Sequence, residues 1–382
     1  MSHHSTIFAQ FLRLVPRHEF DALAKAHHSG APLRRMSRFS QFVGFTTAHL
    51  SRRHSLRDVV ANLSAQSSKL YHLGVKAVTR SSFARVNEEQ PYTLYEALFA
   101  KLYDRCERAA PRHGFKFKNK LYSLDSSLID LSLKIFPWAH LSKGKAAMKL
   151  HVALDHDGYL PAFSVVTHCR TSDLEGGRSM AFPKGSIVVF DKGYSDYAWL
   201  KQLEDSGVFF VTRARANILA KTLSARQEVR GNVISDERIE LASPRPRAMG
   251  MKPLRLVGYV CPDTGREYQF LTNIEHLSAQ TIADIYKSRW QIELFFKWIK
   301  QNLKLKGILG TSKNAVLTQI WAAMCVCLLL AWLKFSSRID LSMQQINRLL
   351  QLNLFLKRDL MSLLKNGSPP PDTPSLQYRL SL

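Results

Sequence analysis

Acidic residues are scarce in this chain of 382: 30 Asp and Glu stand against 54 Lys and Arg, a formal net charge of +24. So few compensating acids point to a polyanionic partner, and nucleic acid is the commonest polyanion. Cysteine is sparse too. The five, Cys106, Cys169, Cys261, Cys325 and Cys327, are odd in number and spaced for neither a disulfide framework nor a zinc site. The expectation is a reducing compartment, hence the cytoplasm. The opening residues MSHHSTIFAQF lack the basic start and apolar run of a secretion signal. No apolar stretch exceeds the 14 residues IWAAMCVCLLLAWL (320–333), too short to cross a bilayer and expected as a buried core helix. There is no HExxH pair, no Walker loop and no internal repeat, and nothing implies ATP.

What is present changes character along the chain. Residues 1–112 read as a helical, DNA-binding domain. TLYEALFAKLYDRCERAA (93–110) places Leu94, Leu98, Leu102 and Cys106 four apart, and Thr93 with Glu96 suggests a capping box. SLRDVVANL (55–63) and TRSSFARVNEEQ (79–90) look like shorter helices with Gly74 between them, the second carrying Arg80 and Arg85. Two readings are open, a helix-turn-helix or a plain bundle with basic faces. Arg34, Arg35, Arg38, Arg52, Arg53 and Arg57 add charge nearby.

Residues 113–212 turn to short strand-like runs. MKLHVALDHDGYLPAFSVVT (148–167) reads as a hairpin turning at Asp155-His156-Asp157-Gly158, SIVVFDKGY (186–194) as a buried strand ending at Asp191, DYAWLKQLEDSG as a helix and VFFVTR as another strand. The order fits an α/β, ribonuclease-H-like catalytic core. Residues 213–278 interrupt it as a β-rich insertion. There Ser243-Pro244-Arg245-Pro246-Arg247 reads as a loop, and 254–261 and 267–273 as exposed-edge strands. A catalytic helix within 279–310 completes the core. A helical C-terminal region is expected over 311–365, with helices near 314–335 and 341–364, and a mobile Pro- and Ser-rich tail over 366–382.

The densest chemistry lies in IYKSRWQIELFFKWIK (285–300). At about 100° per residue, one helix gathers Tyr286, Arg289, Glu293 and Lys300 within an arc of roughly 60°, with Lys297 in the same stripe. Ile285, Ile292, Phe295, Phe296, Ile299 and Leu303 form the apolar stripe that packs such a helix on a core. A carboxylate flanked by cations and a phenol suits a metal ion and the phosphates around it. Two further carboxylates are well placed: Asp125 in LDSS, and Asp191 where its strand ends, the usual ligand position of open α/β sheets. Phosphodiester cleavage is served by two divalent ions about 3.5–4 Å apart, and Mg²⁺ prefers oxygen ligands converging from separate elements. Asp130, five residues beyond Asp125, faces the other side of a regular strand. Asp155 and Asp157 suit the turn, and His151 suits packing or a hydrogen bond. Arg289 can grip a phosphate bidentately, Lys300 can act as a point charge, and Tyr286 can donate a hydrogen bond. Trp290 can stack on a base, whereas Trp298 lies off the charged stripe and suits packing.

The spacing Tyr, two residues, Arg, three, Glu, six, Lys resembles the Tyr-Arg-Glu-Lys signature of one branch of the DDE transposases, the insertion-sequence family four. LDSSLIDLSLKIFPWAHLSKGKAAMKLH (124–151) is similar to that family's segment around its first catalytic Asp, and DKGY (191–194) to its second-Asp motif. The interval from Asp191 to Glu293 (293 − 191 = 102 residues) suits the family's β-rich insertion. The N-terminal segment resembles its helical domain. This resemblance selects Asp125 over Asp130. It implies Asp125, Asp191 and Glu293 as catalytic residues and ligands of Mg²⁺, with two ions and Mn²⁺ as a substitute. It implies Tyr286, Arg289 and Lys300, beside Lys297 and Trp290, as DNA contacts near the scissile phosphate. The partners implied are double-stranded DNA, as inverted-repeat ends and as target, and a second copy of the chain in a homodimeric synaptic complex. The activity implied is cut-and-paste transposition through hairpin ends. The alternative is a transposase-derived DNA-binding protein without catalysis, against which stands the presence of all three carboxylates.

Overall fold

The computed structural model describes residues 5–131, 136–142, 145–215, 218–225, 231–303 and 308–366. The chain divides into two units. Of the described residues, one holds those within Met1–Pro111, Ile129–Met148 and Phe296–Pro374; the other holds those within Arg112–Leu128 and Lys149–Phe295.

The first unit opens with α1 (Ile7–Leu12), α2 (Arg17–Ala26), α3 (Arg38–Leu50), α4 (Leu56–Ala65), α5 (Arg80–Glu89) and α6 (Thr93–Ala109). Local sequence sets several of the starts. Thr6, Ser37, Ser55 and Thr79 each accept a first-turn backbone N–H through the side-chain oxygen, satisfying a donor that has no partner within the helix. The four-residue spacing on α6 buries Leu94, Leu98, Leu102 and Cys106 as expected. Its capping box does not form: Tyr92 holds the cap position without a side-chain bond, and Thr93 Oγ1 pairs with His27 Nδ1 at 2.8 Å. A tertiary partner has displaced the local one.

The connection from α4 to α5 contains a 3₁₀ helix, Ser67–Leu73, closed by Gly74 at φ 67°. That is far longer than the 3–4-residue turn of a helix-turn-helix, so the plain-bundle reading stands. Nor are all the N-terminal arginines available to a ligand. Arg38 is buried, donating to Gln90 Oε1 and to the carbonyl of Pro91, and Arg52 donates to Asn302 Oδ1.

The C-terminal helices fall in the same unit. The apolar run 320–333 lies in a helix of 25 residues, Lys313–Ser337 (numbered α12 below), long and apolar enough by composition to cross a membrane. Its most apolar window is 94% buried within the protein, as a core helix requires. Its 14-residue apolar run understated its length because Ala315–Gln319 are buried as well. The helix expected over 341–364 is two, Met343–Asn353 and Leu360–Asn366. Between them the backbone turns to pair with the N-terminus, where Ile7 N donates to the Leu356 carbonyl and Phe8 N to that of Leu354. The tail expected to be mobile lies, beyond Asn366, outside the described residues.

The sheet carries the second unit. Its strands are β1 (Leu121–Leu131), β2 (His140–Ser142), β3 (Lys145–Asp155), β4 (Leu160–His168), β5 (Ile187–Phe190), β6 (Phe209–Arg213), β7 (Ala220–Ala225), β8 (Val233–Leu241), β9 (Leu254–Val260) and β10 (Glu267–Thr272), in the order β2-β3-β1-β5-β6-β10-β9-β8-β7, with β4 on β3. The unit boundary falls inside β1 and β3, and β2 with the start of β3 belongs to the first unit. Helices α7 (Asp173–Arg178), α8 (Tyr197–Asp205) and α9 (Pro244–Ala248) lie between the strands. Then come α10 (Ala279–Ser288), α11 (Trp290–Asn302), α12, α13 (Met343–Asn353) and α14 (Leu360–Asn366).

Strands β1, β5 and β6 are parallel, with β3 beside β1 and its hairpin partner β4 beyond it. This is the mixed α/β order expected of a ribonuclease-H-like core. Asp155 and Asp157 belong to the hairpin turn, where Asp157 N donates to Asp155 Oδ1 and Lys120 Nζ lies 2.8 Å and 3.0 Å from their carboxylates.

From β6 the sheet continues through four antiparallel strands, the β-rich insertion. The expectation of β9 and β10 as exposed edges is overturned. Both are interior strands, and the exposed edge is β7. The alternation misled because Arg255, 1% exposed, is not a solvent residue. It forms a bidentate pair with Asp236 at 2.7 and 2.8 Å and donates to the carbonyls of Ile274 and Leu277. The segment expected as a loop at Ser243–Arg247 is the short helix α9, opened by Pro244, whose fixed φ suits a first helical position.

Three buried histidines make acid stability measurable. His49, His151 and His156 are each at most 2% exposed, and burial lowers the pKa of each to about 4. The unfolded chain takes up these protons near pH 6.5 and the folded chain only near 4, so their contribution is complete above pH 6.5 and lost as pH falls toward 4. Between pH 7 and 5 each should cost about 2 kcal/mol. Urea titrations at the two pH values will show a large drop in midpoint, smaller in His49→Gln. Equal midpoints for wild type at both would refute the assignment.

Candidate active site

Backbone register brings the first two carboxylates together. β1 and β5 pair from Leu121↔Ile187 to Leu124↔Phe190, so Asp125 and Asp191 each follow the last paired residue, Asp191 just past the end of β5 and Asp125 within β1, which runs on to Leu131. Adjacent strands lie about 4.8 Å apart. Apolar strand residues fix that end: Leu121, Ile187, Val189 and Val211 are buried in one cluster with Ile282, Ala283 and Ile285 of α10. Packing α10 on the sheet in this way lays Tyr286 against Phe270, ring centroids 4.6 Å apart, and its hydroxyl donates to Asp191 Oδ1 at 3.0 Å.

The single helix expected over 285–300 is two. α10 ends at Ser288, and α11 begins at Trp290. Around Arg289 the bonds shorten to three-residue steps, Arg289 N to the Tyr286 carbonyl and Ile292 N to the Arg289 carbonyl, while Ser288 Oγ donates to the Ile285 carbonyl. The apolar stripe survives the break, with Ile285, Ile292, Phe295, Phe296, Ile299 and Leu303 all buried. So does the juxtaposition of the polar residues.

Arg289 is the centre of that juxtaposition. Its Nη1 lies 3.2 Å from Asp125 Oδ2 and its Nη2 2.7 Å from Glu293 Oε1. Nε is buried without a partner among the described residues. Burial alone would lower its pKa, but the hydrogen bond to Glu293 and the neighbouring charges of Tyr286, Asp125 and Glu293 hold it above the usual value. Asp125 is raised from the ordinary carboxylate range, chiefly by burial; the Ser126 N–H and Arg289 offset this, and Glu293 and Asp173 add to it. Tyr286 is likewise pushed up by burial and by Asp191, so it stays protonated and donates.

Sequence reasoning missed a flanking network. Ser126 N donates to Asp125 Oδ1 at 2.8 Å, and Ser126 Oγ to Asp173 Oδ1 at 2.5 Å. Lys149 Nζ lies 3.1 Å from the same oxygen and donates to the Thr171 carbonyl. Asp173 opens α7, which approaches His151 so closely at Gly176 that a Cβ there would sit 2.2 Å from the imidazole Nδ1. His151 Nε2 shares a hydrogen bond with Thr167 Oγ1; it is a packed histidine, as expected. Tyr194 of the DKGY run is 2% exposed, and burial with the charges of Asp125 and Asp173 raises its pKa. Ser126 and Tyr194 sat inside motifs already singled out. Asp173 and Lys149 carried no local signal, because only the packing of α7 on β1 and β3 relates them.

Trp290 is 55% exposed beside Arg289. Lys297 is exposed and Lys300 half-buried farther along α11, in the part assigned to the first unit. Trp298 is half-buried, in keeping with packing. Asp130 is exposed and also falls in the first unit.

The donor chemistry suits a hard divalent cation, since three carboxylates offer only oxygen. As they stand, no group of three or more His, Cys, Asp or Glu among the described residues is arranged to hold a metal ion. Asp125 and Glu293 are instead paired with the Arg289 guanidinium, and Asp191 with the Tyr286 hydroxyl.

Residues 118–330 match the family model described as a transposase DDE domain, and residues 3–76 match a domain of unknown function, DUF4372. The chain is 34% identical over 297 residues to a putative transposase, y4zB, of Sinorhizobium fredii, covering 76% of this chain and 81% of that one. It is 31% identical over 281 residues to a probable transposase for insertion sequence element IS5377 of Geobacillus stearothermophilus, covering 73% and 72%. A cryo-EM structure of a piggyBac transposase synaptic complex with hairpin DNA aligns with a TM-score of 0.45 at 13% identity, over 96% of this chain and 84% of that one. A model spanning more than half the chain, together with a relative at 34% identity over three-quarters of it, places this protein in the family of transposases built on a DDE domain.

Proposed function

We propose that this transposase excises and inserts an insertion sequence by cut-and-paste, as the Tyr-Arg-Glu-Lys branch of the insertion-sequence family four does. The observation that carries the reading is Arg289, bonded at once to Asp125 and Glu293 while Tyr286 on the preceding helix holds Asp191. Asp125, Asp191 and Glu293 would hold divalent cations, Mg²⁺ or in its place Mn²⁺. When bound, such ions activate water and relieve charge on the leaving oxygen. For both carboxylates to turn to a cation, Arg289 must release them. Its charged fork and unpartnered Nε then face the other anion of the reaction, the DNA phosphate, which a guanidinium binds bidentately. Tyr286, kept protonated, has one O–H to give: it holds Asp191 without DNA and would pass to a phosphate oxygen once Asp191 turns to a cation. Lys297, Lys300 and Trp290 extend the contact along the strand.

At a transposon end, water attacks the phosphorus of one strand and the 3′-oxygen departs. The freed 3′-OH attacks the opposite strand, which closes a hairpin and releases flanking DNA. Reopening and attack on target DNA complete the transfer. Two copies of the chain would pair two inverted-repeat ends, and sizing the protein with and without end DNA tests that pairing. The cleavage test is a labelled duplex bearing the element's end, incubated with Mg²⁺ and run on a denaturing gel. A hairpin of twice the length of the transposon part of one strand is the expected product. Tight binding of end DNA without any cleavage, in Mg²⁺ or Mn²⁺, would instead favour a DNA-binding protein that has lost catalysis.

A further inference from the structure

Four arginines of the helical unit are engaged within it. Arg17 pairs with Asp21, Arg105 with Glu19, Arg38 with Gln90 and the Pro91 carbonyl, and Arg52 with Asn302. Arg57 and Arg80 differ. Both are exposed, and both line a cavity of about 550 Å³ together with His54, Ser55, Asp58 and Ser81. Neither forms an ion pair or hydrogen bond among the described residues. Asp58 is the one carboxylate in the lining, and its backbone N–H is taken by Ser55 Oγ at 3.1 Å. The lining therefore keeps a net positive charge, two guanidiniums against one carboxylate. The first turns of α4 and α5 supply these residues, and the positive ends of the two helices add to the same sign. Leu56, Ala84, Ile308 and Leu309 complete the lining, so apolar wall stands beside the positive charge, and it is the charge that favours an anion.

We propose that this cavity is a phosphate-binding cleft for the DNA backbone, with Arg57 and Arg80 as its contacts and no role in reading bases. The inference rests on the reading of the protein as an enzyme that works on DNA, and it assigns a specific part of that contact to two residues remote in sequence from the carboxylates. It also separates the arginines that charge counting treats alike. Arg38 and Arg52 serve the fold, whereas Arg57 and Arg80 serve a ligand.

Each phosphate contact contributes about 0.9 to the slope of log affinity against log salt concentration. The test measures binding of the full chain to a labelled duplex of arbitrary sequence across a salt series, for wild type, Arg57→Ala/Arg80→Ala and Arg85→Ala. Arg85 lies on α5 but outside the cavity lining, so it controls for loss of charge alone. The double variant should lose about 1.8 from the slope and bind at least tenfold more weakly at moderate salt. Arg85→Ala should change the slope much less. Because both arginines are exposed, folding is expected to survive, and a circular dichroism spectrum matching wild type checks this. If wild type binds with a steep slope that the double variant retains, the cleft assignment fails and the enzyme reading stands. If wild type binds no duplex at any salt concentration, both fall together.

Discussion

Changing Glu293→Gln or Asp191→Asn is expected to lower metal-dependent cleavage of a transposon end by roughly 10³-fold or more while leaving DNA affinity close to wild type. Each substitution is near-isosteric and removes one negative charge. The glutamine amide keeps an oxygen for Arg289 Nη2, now 2.7 Å from Glu293 Oε1, and the asparagine amide keeps one for the Tyr286 hydroxyl. The local fold therefore has no reason to change. What is lost is the charge that holds a cation, and stabilisation by a bound ion is worth several kcal/mol in the transition state; about 4 kcal/mol corresponds to roughly 10³ in rate. Single-turnover cleavage with saturating protein measures the effect separately from binding. Wild-type rates in both variants would remove these carboxylates from the chemistry.

The largest effect on stability is expected at Arg255. Its guanidinium is buried in the β-rich insertion, and Asp236 is 5% exposed. Arg255→Met leaves a buried carboxylate without its partner and strips a donor from the Ile274 and Leu277 carbonyls. Breaking a buried pair on one side costs about 3–5 kcal/mol. Replacing both partners, Arg255→Met with Asp236→Leu, removes the stranded charge and should recover most of that loss. Chemical denaturation of the two variants and wild type decides it; a single variant as stable as wild type would show that the pair contributes nothing. The two carbonyls lie just before α10, the helix that carries Tyr286. The single variant is therefore also expected to cleave more slowly at temperatures where it remains folded.

The parts of the site that were legible in the sequence were those encoded at short range. Asp191 announced itself because a strand of four buried residues ends there, and Tyr286, Arg289 and Glu293 because helical spacing relates them. The break between α10 and α11 escaped notice, since it contains no Pro or Gly to mark it, only three-residue bonding around Arg289. The segment 254–261 reads as an exposed edge because a sequence does not say whether a charge such as Arg255 has a partner. Thr93 was taken for a cap for the same reason, His27 lying far away in sequence and close in space.

The sequence by itself determined the charge balance and the helical ends with an α/β middle. These follow from composition and from periodicities of two and 3.6 residues, which are local properties of a chain; the choice of Asp125, Asp191 and Glu293 as a set rests on the family resemblance of the motifs around them. Tertiary structure alone decided that Asp125 and Asp191 stand level on neighbouring strands, that Arg289 sits between two of the carboxylates, and that Asp173 and Lys149 flank them through Ser126. Those relations depend on strand register and on which helix packs against which face, and both are set by burying apolar surface across long separations in the chain.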